Sequence, residues 1–132
     1  MVYENVIHTQ KTLAKRYGIS IAALQQWYPY AGIVKPKKRG GYFDAATVEI
    51  ADIFYVAIRI RRLTFEEYLQ QVIPVGGLDA YLQKVNKITL YDFLTKYISP
   101  QERENEIVQA VIRRIDRYEA YKSASYSATN IA

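Results

Sequence analysis

The stretch Ile19–Phe43, ISIAALQQWYPYAGIVKPKKRGGYF, decides how the chain folds. Ser20 carries the short side-chain oxygen of a good N-cap, and Ile21, Leu24 and Trp27/Tyr28 follow at helical spacing. Ala22, Gln25 and Gln26 fall on the other side of that helix. The pattern predicts a helix to about Tyr28, stopped by Pro29 and Gly32. Ile33–Val34 and Tyr42–Phe43 then read as two short strands. Between them KPKKRGG has turn composition and four cations, Lys35, Lys37, Lys38 and Arg39, so the segment reads as a basic hairpin tipped by Gly40 and Gly41.

Upstream, a helix is expected from near Thr9 to Gly18, a C′ glycine. Leu13, Ala14 and Tyr17 form its apolar face, and Lys11, Lys15 and Arg16 point outward. Only Gly18–Ile19 separates this helix from the next, the compact glycine turn of a helix-turn-helix. Together with the basic hairpin this is the plan of a winged helix-turn-helix, which places a helix in the major groove and a wing on the backbone. Before Thr9, Tyr3 to Ile7 alternates weakly, as a short strand or a lead-in.

Downstream, Asp44 caps a long helix from Ala45 to about Arg61, with Arg59, Arg61 and Arg62 complementing its C-terminal dipole. Thr64 and Glu67 make a capping box for a helix to about Val72. Ile73–Pro74–Val75–Gly76–Gly77 breaks the chain, and helices follow at Leu78–Val85 and Thr89–Ile98. Ser99, Pro100 and Glu102 supply an N-cap, a proline at N1 and an acid at N3 for a last helix to about Lys122. On it Val108, Val111, Ile115 and Tyr118 are spaced as a seam, with Ile107 and Ile112 alongside. The expected fold is mainly α: a winged helix-turn-helix over residues 1–74, a helical dimerisation module over 75–122 and a flexible tail over 123–132, on which Tyr126 or Ile131 could dock on a partner.

Composition narrows the function. At 132 residues the chain is one domain, or a small domain plus an oligomerisation module, and half of its residues are hydrophobic. With no cysteine and one histidine, His8, neither disulfides nor a metal site are expected. No signal peptide or bilayer-length apolar run is read, so a cytoplasmic, nucleoid-associated protein is expected, with no membrane partner. Net charge is +5, and its distribution is uneven. Residues 1–62 hold ten Lys/Arg against four acids, whereas residues 63–132 hold eight against nine. A polyanion-binding front half on a near-neutral back half follows. No catalytic set can be assembled around His8, and no phosphate-binding loop is present, so an enzyme is not expected.

The segments TLAKRYGISIAALQQW and GIVKPKKRGGYFDAATVEIADI, followed by Leu63–Thr64–Phe65–Glu66–Glu67, resemble the N-terminal domain of MerR-type regulators. The resemblance covers about residues 8–72, and it lies in the order and spacing of pieces that are each weak alone. It departs at the recognition helix, where Ala22, Gln25 and Gln26 stand in place of the family's usual arginine and Trp27–Tyr28 in place of its consecutive tyrosines, so base preference is not carried over. No cysteine site or effector domain follows, so the chain is similar to small effector-free members, without cofactor or small-molecule effector. These include repressors and excisionase-like factors of mobile elements, among them regulators beside CRISPR-associated transposons. The resemblance implies a homodimeric repressor on an inverted-repeat operator in double-stranded DNA.

The expected DNA contacts divide by chemistry. Lys35, Lys37, Lys38 and Arg39 would meet phosphates, flanked by Lys15 and Arg16, with hydroxyls of Tyr28 and Tyr42 as further donors. Ser20 is first a cap and second a phosphate contact. Gln25 or Gln26 could read adenine through N6 and N7, beside Ala22. Ile107, Val108, Val111, Ile112, Ile115 and Tyr118 would form the dimer seam, of a dimer or a higher oligomer. Two other functions fit the same features: an excisionase-like architectural protein on tandem sites, and a basic helical adaptor for an acidic protein.

Overall fold

The computed structural model describes residues 7–131 along the backbone and 7–122 in their side chains. The Tyr3–Ile7 lead-in therefore lies outside the described residues except at Ile7, as do the side chains of Tyr126 and Ile131. The described chain is mainly helical. Helix α1 spans Gln10–Tyr17, α2 Ile21–Ala31 and α3 Ala45–Tyr55. Helix α4 begins at Phe65–Glu67 and continues through a wide π turn at Tyr68–Val72. Then come α5, Leu78–Asn86, α6, Leu90–Lys96, the single turn α7, Pro100–Arg103, and α8, Glu106–Ile131.

The helix starts are set by local capping, which is why they follow the sequence closely. The Ser20 hydroxyl accepts from Ala23 N at 3.0 Å and the Asp44 carboxylate from Thr47 N at 2.8 Å. Thr64 and Glu67 close a reciprocal box, with Thr64 N donating to Glu67 Oε1 at 2.8 Å and Glu67 N to Thr64 Oγ1 at 3.0 Å. Ser99 and Glu102 do the same at 3.0 Å in each direction. Such caps are each worth about 1 kcal/mol. Gly18 adopts the left-handed conformation (φ 68°) that a Cβ would disfavour, and this turns α1 sharply into α2.

Four expectations change. First, α2 does not stop at Tyr28 but passes through Pro29 to Ala31, and Gly32 is the true stop. A helix-interior proline costs about 3 kcal/mol. Burial of Tyr28 and Ala31, and a Tyr30–Phe65 ring contact at 5.2 Å, offset it. Second, no sheet forms among the described residues, and the hairpin wing is absent. Ile33 N donates back to Tyr28 O at 3.0 Å, at the end of α2, and not across to the Tyr42–Phe43 segment. Pro36 has no N–H to give a ladder. Phe43 N instead donates to His8 O at 2.8 Å, an isolated antiparallel bridge to the segment before α1.

Third, α3 does not run on as a regular α-helix to Arg61. It widens into a π turn at Val56–Ile60, where Arg61 N donates to Val56 O at 2.9 Å. On α3 Ile50 is exposed, and Val48, Ala51, Asp52 and Phe54 are inside. Fourth, the last helix is broken after Arg103. Asn105 recaps it by accepting from Ile107 N at 2.8 Å, and α8 then continues past Lys122 to Ile131, through the stretch expected to be a flexible tail.

The core begins with aromatic packing. Trp27 lies against Tyr17 (ring centroids 5.0 Å apart) and Phe54 (5.2 Å), and Phe54 meets Tyr68 edge-on at 4.9 Å. The chain turns at Ile73–Gly77, but the apolar cluster does not end there. Val72 and Leu78 belong to the same cluster, which reaches Ile107, Val108 and Val111. Helix α8 returns to pack on α3 and α6, and α5 packs on α6 and on the π turn that continues α4.

Candidate nucleic-acid interface

The cations of the segment after α2 are placed by its ends. Ile33 and Phe43 are anchored in the core, so the nine residues between them bulge outward as a loop. Gly41 N donates to Lys38 O at 2.9 Å and closes its tip. The approach is tight: a Cβ on Gly41 would lie 2.9 Å from both Lys38 O and Pro36 Cβ, closer than carbon tolerates. Lys35, Lys37, Lys38 and Arg39 are exposed, and no ion pair engages them among the described residues. Tyr42 is 67% exposed beside them.

The loop folds against the starts of both helices. A groove of about 260 Å³ is lined by Thr9, Gln10 and Lys11 of the α1 entry, Ile21 of α2, and Pro36, Lys38 and Gly41 of the loop. Lys15 is exposed one turn along from Lys11, on the same side of α1. Gln25 is one turn along from Ile21 on α2. The tip of the basic loop and the starts of α1 and α2 therefore share one side of the molecule. Neither Lys11 nor Gln10 stood out in the sequence as part of a site, because one reads as a surface charge and the other as a neutral surface residue.

The polar residues of α2 differ in freedom. Gln10 Oε1 accepts from Gln25 Nε2 at 3.1 Å and from the Tyr28 hydroxyl at 2.7 Å. Tyr28 is buried and its ionisation is pushed up by that burial, so its ring is core and its hydroxyl is committed to Gln10. Ala22 and Gln26 are exposed, and no hydrogen bond holds Gln26 among the described residues. Ser20 is exposed but serves as the cap of α2.

Arg16 leaves the expected set. It points inward, not toward the loop. Its Nε donates to Asp52 Oδ1 at 2.9 Å and its Nη2 to Asp52 Oδ2 at 2.8 Å, a two-point grip on a carboxylate with no exposed surface. Arg114 Nη1 reaches Asp52 Oδ2 at 2.6 Å, and the Tyr17 hydroxyl donates to Oδ1. Burial and the Asp52 charge together push the ionisation of Tyr17 far up, so it remains a donor. This buried network ties α1, α3 and α8. The one sequence signal for it is that Asp52 stands four residues after Val48, on the buried stripe of α3.

The expected dimer seam is also largely taken. Ile107, Val108 and Val111 are buried in the chain's own core, and Ile112 and Ile115 are partly buried against it. Only Tyr118, 61% exposed, is open to a partner.

No family model, curated protein or solved structure matches the chain. Among the described residues, no three His, Cys, Asp or Glu side chains gather as a metal site, and no helix is long and apolar enough to cross a membrane.

Proposed function

We propose that the chain is a sequence-specific double-stranded-DNA-binding repressor, built as a MerR-like helix-turn-helix and acting as a homodimer on an inverted repeat. The observation that carries this reading is the shared side. Lys38 of the loop, Lys11 of α1 and Ile21 at the start of α2 line one groove, and the other exposed loop cations, Lys35, Lys37 and Arg39, flank Lys38 in sequence. A helix entering a major groove would have its start beside the phosphates that the loop meets. The loop supplies affinity and α2 supplies register. Gln26 is the better placed base reader, because Gln25 would first have to release Gln10.

The test is binding of labelled duplexes from the chain's own upstream region, and of selected palindromes, across a salt series. Binding should weaken steeply with salt, by about 0.9 in log–log slope for each neutralised phosphate. Replacing Lys37, Lys38 and Arg39 by alanine should weaken all sequences alike and flatten that slope, whereas Gln26→Ala should change sequence preference. Absence of salt-sensitive binding on every duplex would sink the proposal.

A further inference from the structure

A second groove and an overhang share one helix, α8. A groove of about 730 Å³ runs between the α5–α6 pair and α8, with Leu90, Tyr91, Ile115 and Tyr118 as its apolar lining and Asp79, Asp116 and Glu119 as acids along it. Ile115 is the last residue of α8 packed on the core. From Asp116 to Lys122 every side chain is exposed, yet the helix continues to Ile131. Those last turns extend about 24 Å at 1.5 Å per residue. Lone helices of that length are marginal in water, and this one is rich in serine beyond Lys122. Its exposed Tyr118 and Tyr121 lie three residues apart on one face and need a cover.

We infer that the cover is a second copy of this chain, the two α8 helices crossing antiparallel so that each overhang fills the other's groove. The inference deepens the homodimer reading above and rests on it. Charge chooses the occupant. The groove carries three acids, of which Asp79 is held by Leu90 N and Gln83 Nε2 while Asp116 and Glu119 are exposed, and its one cation, Arg114, is committed to Asp52. The overhang from Ala120 onward contains no acid and carries Lys122. Because groove and overhang both belong to α8, one two-fold axis near Tyr118 satisfies both copies at once, which is the self-complementarity that a symmetric dimer requires. The seam read from the sequence is thus moved from the inner face of α8, which closes the core, to its outer end.

The experiment measures mass in solution by sedimentation over a concentration series, using the full chain. The wild type should be a dimer. Tyr118→Glu with Tyr121→Glu should weaken association by about a hundredfold or more, as loss of central aromatic contacts does, with far-ultraviolet circular dichroism showing the body still folded. Glu119→Lys should weaken it less, and adding Lys122→Glu should restore it. Since the chain has no cysteine, Tyr91→Cys and Tyr121→Cys proteins can be mixed and oxidised, and a covalent heterodimer is expected. A monomeric wild type, or a dimer indifferent to all these changes, overturns the inference. The two readings fail separately. A dimer broken by these changes but blind to every duplex leaves the interface standing without DNA binding. A monomer that binds duplex in a salt-sensitive way does the reverse.

Discussion

Asp52 is the residue that most constrains the interior. Its carboxylate has no exposed surface, yet two arginines and a tyrosine hydroxyl converge on it from α1 and α8. The surplus cation is tolerable because both arginines keep part of their side chains in solvent, 23% for Arg16 and 19% for Arg114, and Glu49 lies 3.7 Å from Arg114. Breaking such a pair from one side strands the other. Asp52→Ala should therefore cost about 3 kcal/mol or more, read as a lower urea midpoint. Replacing Asp52, Arg16 and Arg114 together by apolar residues should cost less than Asp52→Ala alone. If the single and triple changes were equally mild, the network would be ornamental. Little of this is legible in the sequence. An aspartate eight residues into a helix reads as a solvent-facing charge, and Arg16 beside Lys15 reads as part of a basic surface. Their pairing is a tertiary fact between positions 36 apart.

At the scale of elements, legibility follows the range of the cause. Ser20, Asp44, Thr64 and Ser99 announce helices because a cap is a contact between residues three apart. The hairpin fails for the opposite reason. Its strands read from β-branched and aromatic pairs, but the backbone partners lie elsewhere: Ile33 N bonds Tyr28 O and Phe43 N bonds His8 O. What survives is a loop whose shape depends on one glycine. Gly41→Ala would push on Lys38 O and Pro36 and force the loop open. The core anchors Ile33 and Phe43 stay in place, so stability should shift little, by about 1 kcal/mol or less. Binding to duplex DNA should fall with it, because the cations lose their common placement. Comparing thermal midpoint and duplex affinity in that one variant separates loop geometry from global unfolding. Equal affinity for both proteins would show that charge alone, without shape, suffices. Removal of Gln10 makes a second test of the same side: Gln10→Ala frees Gln25 and should alter base preference while leaving the salt slope as it was.

For the whole molecule the decisive feature is that one core contains aromatic residues from both sides of the Ile73–Gly77 turn, and several of them are tyrosines. The structure divides the tyrosines: Tyr17, Tyr28, Tyr68 and Tyr81 are buried, while Tyr42, Tyr91, Tyr97, Tyr118 and Tyr121 are exposed. Burial has a consequence for pH. The Tyr68 hydroxyl is pushed up to about 12 by desolvation, and that of Tyr17 rises further through burial and the Asp52 charge. In the unfolded chain both ionise near their ordinary value of about 10. Below that value both states keep their protons and stability does not depend on these groups. Above it the unfolded chain releases protons that the folded chain retains, so unfolding becomes easier as pH rises, by about 1.4 kcal/mol per pH unit for each such tyrosine. For Tyr68 the loss levels off once pH passes about 12, where the folded state ionises too. Stability should therefore fall between about pH 10 and 12, in the same interval in which tyrosinate absorbance of the unfolded protein appears. Tyr68→Phe should remove one tyrosine's share of that slope. A stability that stays level through this interval would mean that the aromatic core is open to water, and the packing that joins α2, α3 and α4 would have to be redrawn.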